Sequence, residues 1–564
     1  MSMRPSSAEV VPEETARVAR RAFPKGHPYL RMRDEFGVLF GNEDFAALFS
    51  HRGRPAEAPA RLALVCILQY AEGLSDRQAA DAVRGRVDWK YLLGLELDDA
   101  GFDASVLCEF RARLIAGAVE MTLLETLLER FHARGWLKAR GRQRTDSTHV
   151  LAAARTLNRL ELVGETLRHT LNVLASVAPT WLLEQVDPAW AQRYAHRCEE
   201  YRLPSSPAER QAEAMSIGTD GYRLLEAIGS ETPASGWEWL REVPAVEILR
   251  QVWLQQFTRE AAPASTPEAV GRGWVVRWRE VAELPPIALA ITSPYDREAR
   301  WGRKGERSWC GYKVHLTETC GEDAPALITD VQVTPAQVAD IDVLPAIQEA
   351  LDERKLCPSL QVADGGYIDA QGLAESQERF GIELCGPPHP NRQWQAREGT
   401  GFTSADFAID WEQQRATCPA GQQSRTWNEN LDRYGSHQIH IGFAQRVCQS
   451  CDRRPQCTRS QQGRVLAVRP QAHHEALQAA RQREGTETFR KEYALRAGIE
   501  GSISQGVRRC ALRYCRYFGQ AKTRLQQILC AASLNFVRAA AWLMQTPIER
   551  TRQSAFTRLV LQPT

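Results

Sequence analysis

The sequence predicts an α/β protein in which a mixed β-sheet follows a helical domain and is interrupted by two insertions. Three observations predict this class. Helical periodicity runs from residue 28 to residue 140, the period changes to that of a β-strand at residue 143, and strand-like segments resume only after residue 295. A chain of 564 residues is expected to form three or four units, since domains average about 150 residues.

The expected boundaries follow these changes of pattern. They are a flexible tail over 1–25, a helical domain over 26–140, a first core strand over 141–151, a helical insertion over 152–295, the continued core over 296–386, a Cys-rich insertion over 387–470, a catalytic helix and basic helical region over 471–545, and a tail over 546–564. The sequence gives no indication of what the helical insertion does.

The helical domain contains two short predicted helices. A break at Gly73 is followed by Ser75 and Gln78, whose capping-box spacing begins a helix that continues through Val83. Residues 85–93 supply the second helix. The pair is compatible with a helix-turn-helix, which would place one helix in a DNA major groove, but an ordinary helical bundle fits the pattern equally well.

The core is expected to contain five strands. Residues 311–317 alternate apolar and polar side chains as a half-buried strand does. Thr334 is predicted to cap a helix that has Pro335 at its first position. The expected strands are 144–151, 311–317, 327–333, 359–363 and 382–386, and the helix after Thr334 has a predicted buried stripe of Val338, Ile341, Leu344, Ile347 and Leu351.

Two aspartates are candidates for a site at one edge of this sheet. Asp146 lies within the first strand, and Asp364 ends a buried apolar strand. Gly365 and Gly366 follow Asp364, and they allow the backbone to turn sharply and leave the carboxylate at the carboxyl edge of the sheet, where open α/β folds hold their sites. A solitary acid within a strand, such as Asp146, is also compatible with a solvent-facing residue.

Glu500 is the third candidate carboxylate. It lies on a predicted helix whose residues Leu495, Ile499 and Ile503 face the core, and Tyr493, Arg496 and Glu500 share a neighbouring face at i, i+3 and i+7. An arginine one turn away can pair with a phosphate. Three gathered carboxylates can hold two divalent cations across a scissile phosphate, whereas a single exposed helical glutamate is usually only solvated.

The fourteen cysteines indicate reduced thiols in so long a chain. Ten are scattered, and Cys66, Cys108 and Cys530 are typical of small buried residues on helices. Cys448 and Cys451 have the two-residue gap of a zinc site, which Cys418 and Cys457 would complete with four thiolates. His437 or His440 is an alternative ligand, and free cysteines at a turn are the alternative interpretation.

Net charge of +2 neither favours nor excludes nucleic acid, so a DNA-binding prediction depends on local patches. The segment from Gly501 to Val560 contains ten basic residues and one acidic residue, Glu549. Tyr514 and Tyr517 lie among the basic residues. A solvated basic helix end is the alternative to a salt-sensitive DNA-binding surface. The ten bases are Arg508, Arg509, Arg513, Arg516, Lys522, Arg524, Arg538, Arg550, Arg552 and Arg558.

These motifs together resemble the DDE-type transposases of bacterial insertion sequences, which have an RNase H-like core. The order Asp146, Asp364, Glu500 and the Tyr-x-x-Arg-x-x-x-Glu arrangement carry the resemblance. Residues 102–103 and 110–114 resemble the helical domain that precedes this core, 309–315 resemble its second strand, and the Cys-rich insertion resembles that of a cysteine-bearing subgroup. One departure is Val507, where family members often carry lysine; Arg508 is the candidate to replace its phosphate contact.

The resemblance implies a mechanism and a set of partners. Asp146 would bridge two Mg²⁺ or Mn²⁺ ions, Asp364 would complete one metal site and Glu500 the other, with zinc reserved for the cysteines. Tyr493, Arg496, Arg508, Arg509, Arg513, Arg516 and Lys522 would bind double-stranded DNA. The chain would bind terminal inverted repeats as a homodimer, cut the ends and join their 3′ hydroxyls to target DNA.

Two rival functions share the same residues. One is an RNase H-like nuclease that cuts without joining, and the other is a DNA-binding regulator derived from a transposase. The intact Asp146, Asp364 and Glu500 argue against the regulator. Because no signal peptide and no run of about 20 apolar residues is evident, the expected location is the bacterial cytoplasm in association with the nucleoid, with no membrane partner.

Overall fold

The computed structural model describes residues 10–50, 52–53, 55–261, 273–432, 435–546 and 559. They form an α/β protein with a mixed sheet and many helices, which confirms the predicted fold class. Most of the predicted tail over 546–564 lies outside the described residues, and so do Arg550, Arg552 and Arg558.

The N-terminal domain is helical, as predicted, and begins earlier than expected. The tail predicted over 1–25 contains a helix from Glu13, because Thr15 and Ala19 are buried and the Thr15 hydroxyl donates a 2.7 Å hydrogen bond to the Leu95 carbonyl. The helices are α1 (Glu13–Ala22), α2 (Pro28–Phe36), α3 (Pro59–Glu72), α4 (Asp76–Gly85), α5 (Val87–Leu93), α6 (Ser105–Ala116) and α7 (Thr122–Ala133).

Helices α4 and α5 form as predicted, but they do not make a DNA-reading pair. The capping box of Ser75 and Gln78 is present, and Gly73 ends α3 in a left-handed conformation. Every residue of α5 from Asp88 to Leu93 is buried. A recognition helix must present a face to the major groove, so the helical-bundle interpretation is the one that holds.

Strand β1 (Arg142–Leu151) is followed by the helical insertion, which has its own apolar core around Leu167, Leu249 and Trp253. Its helical character is confirmed. The sequence did not indicate that it also contains a hairpin. The elements are α8 (Arg159–Val177), α9 (Pro179–Gln185), α10 (Pro188–Tyr194), α11 (Pro207–Ser230), α12 (Pro244–Gln256), β2 (Phe257–Ala261) and β3 (Trp274–Trp278).

The sheet then resumes with β1 at its centre. Its further strands are β4 (Arg300–Lys304), β5 (Arg307–Thr319), β6 (Ile328–Pro335), β7 (Leu360–Ala363) and β8 (Glu383–Cys385), in the order β4-β5-β1-β7-β8 with β6 beside β5. β1 pairs antiparallel with β5 and parallel with β7. The sequence did not predict β4, since its Arg-Trp-Gly-Arg-Lys segment has almost no apolar alternation.

Strand β5 is buried on both faces rather than on one. His315 and Thr317, which the alternation placed in solvent, are each only 1% exposed. The His315 ring bonds the Tyr367 hydroxyl at 2.7 Å and the Thr334 hydroxyl at 3.2 Å. The polar face of the strand is therefore covered by polar partners, which no local pattern reveals.

The helix predicted to begin at Thr334 begins later. Thr334 and Pro335 are the last residues of β6 and pair with Lys313 and Tyr312. Proline is tolerated there because β6 is at an edge of the sheet. Helix α13 (Asp340–Glu353) buries Leu344, Ile347 and Leu351 as predicted, with Val338 and Ile341 partly buried, and α14 (Ala370–Phe380) follows β7.

The Cys-rich insertion contains short strands and helices around a small apolar core of Phe407, Ile441, Phe443 and Leu466, among others. Because so few apolar residues support it, local staples matter more here than in the main core. Its elements are α15 (Trp394–Glu398), β9 (Ala408–Asp410), β10 (Arg415–Thr417), β11 (Thr426–Leu431), β12 (His437–Gly442), α16 (Gln445–Gln449), α17 (Arg454–Cys457) and β13 (Val465–Val468).

The C-terminal helices return to the main core. They are α18 (Gln471–Glu484), α19 (Glu487–Ala494), α20 (Ala497–Cys510) and α21 (Gln520–Leu543). In α21 every residue from Leu525 to Phe536 is buried. The Ser533 hydroxyl donates a 2.7 Å hydrogen bond to the Ile67 carbonyl of α3, so α21 joins the N-terminal domain to the sheet.

Asn535 of α21 completes the edge of the sheet. Its side chain accepts a 2.7 Å hydrogen bond from the Ile328 amide and donates one of 2.8 Å to the Ile328 carbonyl. We expect Asn535→Leu to lower the free energy of unfolding by roughly 2–5 kcal/mol, because two buried backbone groups lose their partners. Urea titration followed by tryptophan fluorescence measures the change.

Lys522→Ala is the matched control, since Lys522 is exposed on the same helix. It should change the free energy of unfolding by no more than about 0.5 kcal/mol. Equal stabilities for Asn535→Leu and the control would show that Asn535 does not hold β6.

Candidate active site

Asp146 and Asp364 lie side by side because their strands pair in parallel. Thr145 of β1 is opposite Ala363 of β7, and each aspartate is the next residue along its strand. Asp146 is 5% exposed, whereas the Asp364 side chain is 19% exposed. The predicted placement of Asp364 at the carboxyl edge of the sheet agrees with this register.

The turn after Asp364 depends on the two glycines. The Asp364 carboxylate accepts a 2.9 Å hydrogen bond from the Gly366 amide and caps a short 3₁₀ turn over Gly365–Tyr367. A Cβ at Gly366 would lie 3.0 Å from the Asp364 carboxylate and 3.3 Å from that of Asp340. A larger residue would therefore crowd two acids at this edge.

Arg496 brings Glu500 to the same edge. Its guanidinium donates to Asp146 at 2.9 Å and to Glu500 at 3.3 Å. Glu500 is on α20 with its side chain 67% exposed, while Ile499 and Ile503 of the same helix are buried as predicted. All three predicted carboxylates thus lie near one edge of the sheet, with a guanidinium between Asp146 and Glu500.

The predicted continuous helix through Tyr493, Arg496 and Glu500 is wrong. α19 ends at Ala494 and α20 begins at Ala497, with Arg496 in the break. The Leu495 carbonyl accepts a 2.8 Å hydrogen bond from Arg144 of β1, and Leu495 is only half-buried. Tyr493 stacks on Phe489 with ring centroids 5.5 Å apart, and it packs against the small apolar cluster that Phe489 forms with residues of β7 and β8.

A buried charged cluster positions this break. Glu318 of β5 is 0% exposed and bonds Arg144 at 2.7 Å, Arg538 of α21 at 2.8 Å and the Ser502 hydroxyl of α20 at 2.6 Å. A buried carboxylate requires such compensation. The cluster fixes α20 against β1 and β5, and with it Arg496 and Glu500.

Further polar side chains lie beneath the site. Asp340, the first residue of α13, accepts hydrogen bonds from Lys313 at 2.6 Å and from the Ser147 hydroxyl at 3.0 Å. Burial opposes the ionisation of Asp340, but Lys313 outweighs it and holds its pKa below the ordinary value. Burial lowers the pKa of His315 to about 4, so this histidine is neutral.

The charges at the edge are balanced by cations from other elements. Burial raises the pKa of Asp146; the Arg496 guanidinium opposes that shift and the Asp364 charge adds to it. Lys304 of β4 lies 3.8 Å from Asp364. Carboxylate oxygens are the ligands that Mg²⁺ prefers, but among the described residues no three His, Cys, Asp or Glu side chains stand close enough to hold an ion.

Four cysteines line one small cavity in the Cys-rich insertion. The cavity has a volume of about 30 Å³ and is lined by Cys418, Cys448, Cys451 and Cys457, without His437 or His440. The Gln422 amide donates to the Cys418 sulfur at 3.4 Å and the Arg464 amide to the Cys448 sulfur at 3.5 Å. The thiols converge, although as they stand they form no metal-holding group within the described residues.

The scattered cysteines differ in their burial. Cys66 and Cys530 are buried as predicted, but Cys108 is exposed. On α6 the buried face consists of Leu107, Phe110, Arg111 and Leu114. The expectation for Cys108 was wrong because it lies just outside that face.

Several arginines of the predicted DNA-binding set have partners within the protein. Arg509 donates to the Ala71 carbonyl at 3.1 Å, Arg516 to the Leu74 carbonyl at 3.4 Å, and Arg513 to the Thr148 hydroxyl at 2.9 Å. Arg524 and Arg538 pair with Glu120 and Glu318. Arg508 and Lys522 are exposed on their helices, so part of the basic composition serves to join the C-terminal region to α3 and the sheet.

Two segments of the chain match models of known protein families. A family model described as "Transposase domain (DUF772)" matches residues 17–113, and one described as "Transposase DDE domain" matches residues 417–540. Both matched models describe transposase domains, and together they cover less than half of the chain. A transposase domain near the N-terminus and a DDE domain in the C-terminal part support a DDE-type insertion-sequence transposase.

The other comparisons add no relative. No curated protein and no solved structure matches the chain significantly. Within the described residues no helix combines the length and the apolar character that crossing a membrane requires.

At Gly498 the charged cluster lies close to the backbone of α20. A Cβ there would lie 1.9 Å from the Arg144 guanidinium, which is itself held by Glu318 and the Leu495 carbonyl. We expect Gly498→Ala to lower the free energy of unfolding by about 1–2 kcal/mol, because the lost charged hydrogen bonds outweigh the gain in helix propensity.

Gly501→Ala on the same helix is the control, since a Cβ at Gly501 meets nothing within 4 Å. It should stabilise the protein by about 0.5–1 kcal/mol. If thermal or urea unfolding gave both alanine variants the same gain, Arg144 would not be held in the position described.

Proposed function

We propose that this transposase binds the terminal inverted repeats of its element, cuts the ends by metal-dependent hydrolysis and joins the freed 3′ hydroxyls to target DNA. The placement of Asp146, Asp364 and Glu500 near one edge of the sheet carries the proposal. These residues are more than 100 positions apart in the sequence, so only the fold brings them together.

The three carboxylates are the residues that would hold two Mg²⁺ or Mn²⁺ ions. When bound, such ions activate an attacking oxygen and stabilise the leaving oxygen of a phosphodiester. The donor set fits, because it consists of carboxylate oxygens alone and its excess negative charge is at present offset by Arg496 and Lys304.

In this proposal Arg496 also binds a DNA phosphate. Its guanidinium bridges Asp146 and Glu500 in the absence of DNA. Once those carboxylates have other counter-charges, Arg496 is free to pair with a phosphate beside the cut, where a planar guanidinium makes two hydrogen bonds. Tyr493, which packs on Phe489, keeps the adjoining surface in place.

Binding of the DNA ends would use the exposed cations of the C-terminal region. Arg508 and Lys522 are exposed, and Arg509, Arg513 and Arg516 are held near α3 and β1 by hydrogen bonds. Two ends must be brought together before they are joined, so the proposed active form is a homodimer on paired ends.

Zinc bound by Cys418, Cys448, Cys451 and Cys457 would staple the Cys-rich insertion. Four thiols around one cavity, amide hydrogen bonds to two of the sulfurs, and the buried Arg464 beside them all suit a thiolate site. The small core of this segment gives a staple a clear structural use.

Asp364→Asn tests the catalytic proposal. The amide oxygen can still accept the hydrogen bond from Gly366, but it cannot supply the charge that a divalent cation requires. We expect cleavage of labelled duplexes from the flanks of the coding region to fall by about 1,000-fold or more, equivalent to about 4 kcal/mol in the barrier, with end binding nearly unchanged.

Asp369→Asn is the matched control, because Asp369 is an exposed helix cap five residues further on. It should cut normally. Normal cleavage by Asp364→Asn would remove Asp364 from the mechanism. Precut ends are then incubated with a labelled target plasmid. Only joining attaches labelled plasmid DNA to the ends, so the assay separates a transposase from a nuclease.

The zinc proposal predicts about one zinc per chain, by elemental analysis, in protein purified without added metal. Cys448→Ser should lose that zinc and lower the unfolding temperature, because the staple also contributes to folding. Cys108→Ser, which changes an exposed thiol, should change neither. Zinc-free protein with an undisturbed Cys448→Ser variant would contradict the proposal.

A further inference from the structure

The hairpin of β4 and β5 ends in a basic tip. Lys304 pairs with Arg307 across a two-residue turn, in which Gly305 takes a φ of +61° as such tight turns require. The side chains of Arg303, Lys304 and Arg307 are exposed, and Glu306 is the acid among them.

This tip lies beside the candidate active site. The Lys304 ammonium is 3.8 Å from the Asp364 carboxylate, and its side chain remains 63% exposed. Lys304, Arg307 and Arg513 all act on His149 of β1, whose pKa is lowered by burial and then by these charges. His149 follows Asp146 by three residues, so these cations lie near the strand just beyond the carboxylates.

Stability does not explain this concentration of charge. An exposed ion pair such as that of Lys304 contributes only about 0–1 kcal/mol. Among the described residues Arg307 makes no ion pair, although it is exposed beside other cations. A cluster of positive charges of this kind favours the binding of a polyanion. In the proposed function, the phosphate backbone of DNA is the polyanion that must reach these carboxylates.

We propose that the tip of the β4–β5 hairpin is a DNA-backbone clamp. Lys304 and Arg307 contact phosphates next to the one that is cut, and Arg513, fixed by Thr148, borders the same path. Without DNA, Lys304 pairs with Asp364; when DNA enters, it pairs with a phosphate instead. This inference rests on the proposed function of the carboxylates and adds a contact surface to it.

The test is the salt dependence of DNA binding by a Lys304→Gln, Arg307→Gln double variant of the full chain. Binding of a fluorescein-labelled 30-base-pair duplex is followed by fluorescence anisotropy over a series of NaCl concentrations with EDTA, so that no cleavage intervenes. Each lost phosphate contact reduces the slope of log K against log salt by about 0.9. We expect weaker binding and a slope reduced by about 1.8.

A control with the same change in net charge is Lys355→Gln, Arg379→Gln. Lys355 follows α13, and Arg379 lies in the last turn of α14. Both are therefore near the starts of β7 and β8, at the opposite end of these strands from Asp364. The control should keep the wild-type slope. A charge-preserving variant, Lys304→Arg with Arg307→Lys, should keep it as well.

The outcomes separate the clamp from the catalytic proposal. A wild-type slope for the Gln double variant overturns the clamp, whether or not the protein cuts DNA. An equal fall of the slope in the charge-preserving variant also overturns the clamp, since the weaker binding then results from a structural change and not from the lost charges. If the slope falls only in the Gln double variant and the protein never cuts its DNA, the clamp is supported and the proposed cleavage function is refuted.

Discussion

The burial of α21 between the N-terminal domain and the sheet is the constraint on which the rest of the structure depends. Its residues from Leu525 to Phe536 are buried without interruption. Ser533 bonds a carbonyl of α3, and Asn535 bonds both backbone groups of Ile328 on β6. Apolar burial supplies most of the stabilisation, while these polar bonds fix the position of the helix along its axis.

Gathering three carboxylates at one edge of a sheet costs free energy, because like charges repel and Asp146 is also buried. Arg496 and Lys304, from two different elements, offset that cost. At the neighbouring cluster the roles are reversed, because there a buried anion, Glu318, holds two cations, Arg144 and Arg538. The site is therefore a balance of charges within the protein itself, and the proposed function requires DNA and its metal ions to replace Arg496 and Lys304 as the partners of these carboxylates.

The sequence predicted the sheet and the edge position of Asp364 because a buried strand followed by Gly365 and Gly366 is a local pattern. It did not predict where α13 begins, since Pro335 at an edge strand resembles a helix start. The break before Glu500, the burial of α5 and the pairing of Lys304 with Asp364 depend on partners far away in the chain. No local pattern records such partners.

The central position of α21 also determines when the sheet and the N-terminal helices can be joined. During synthesis on the ribosome, β1 and the N-terminal helices emerge hundreds of residues before α20 and α21. Until the last segment leaves the exit tunnel, α3 and β6 lack the surface that covers them, and Glu500 cannot join the aspartates. A chain cut short before α20 would leave α3 and β6 uncovered, and it would lack one of the three carboxylates on which the proposed function depends.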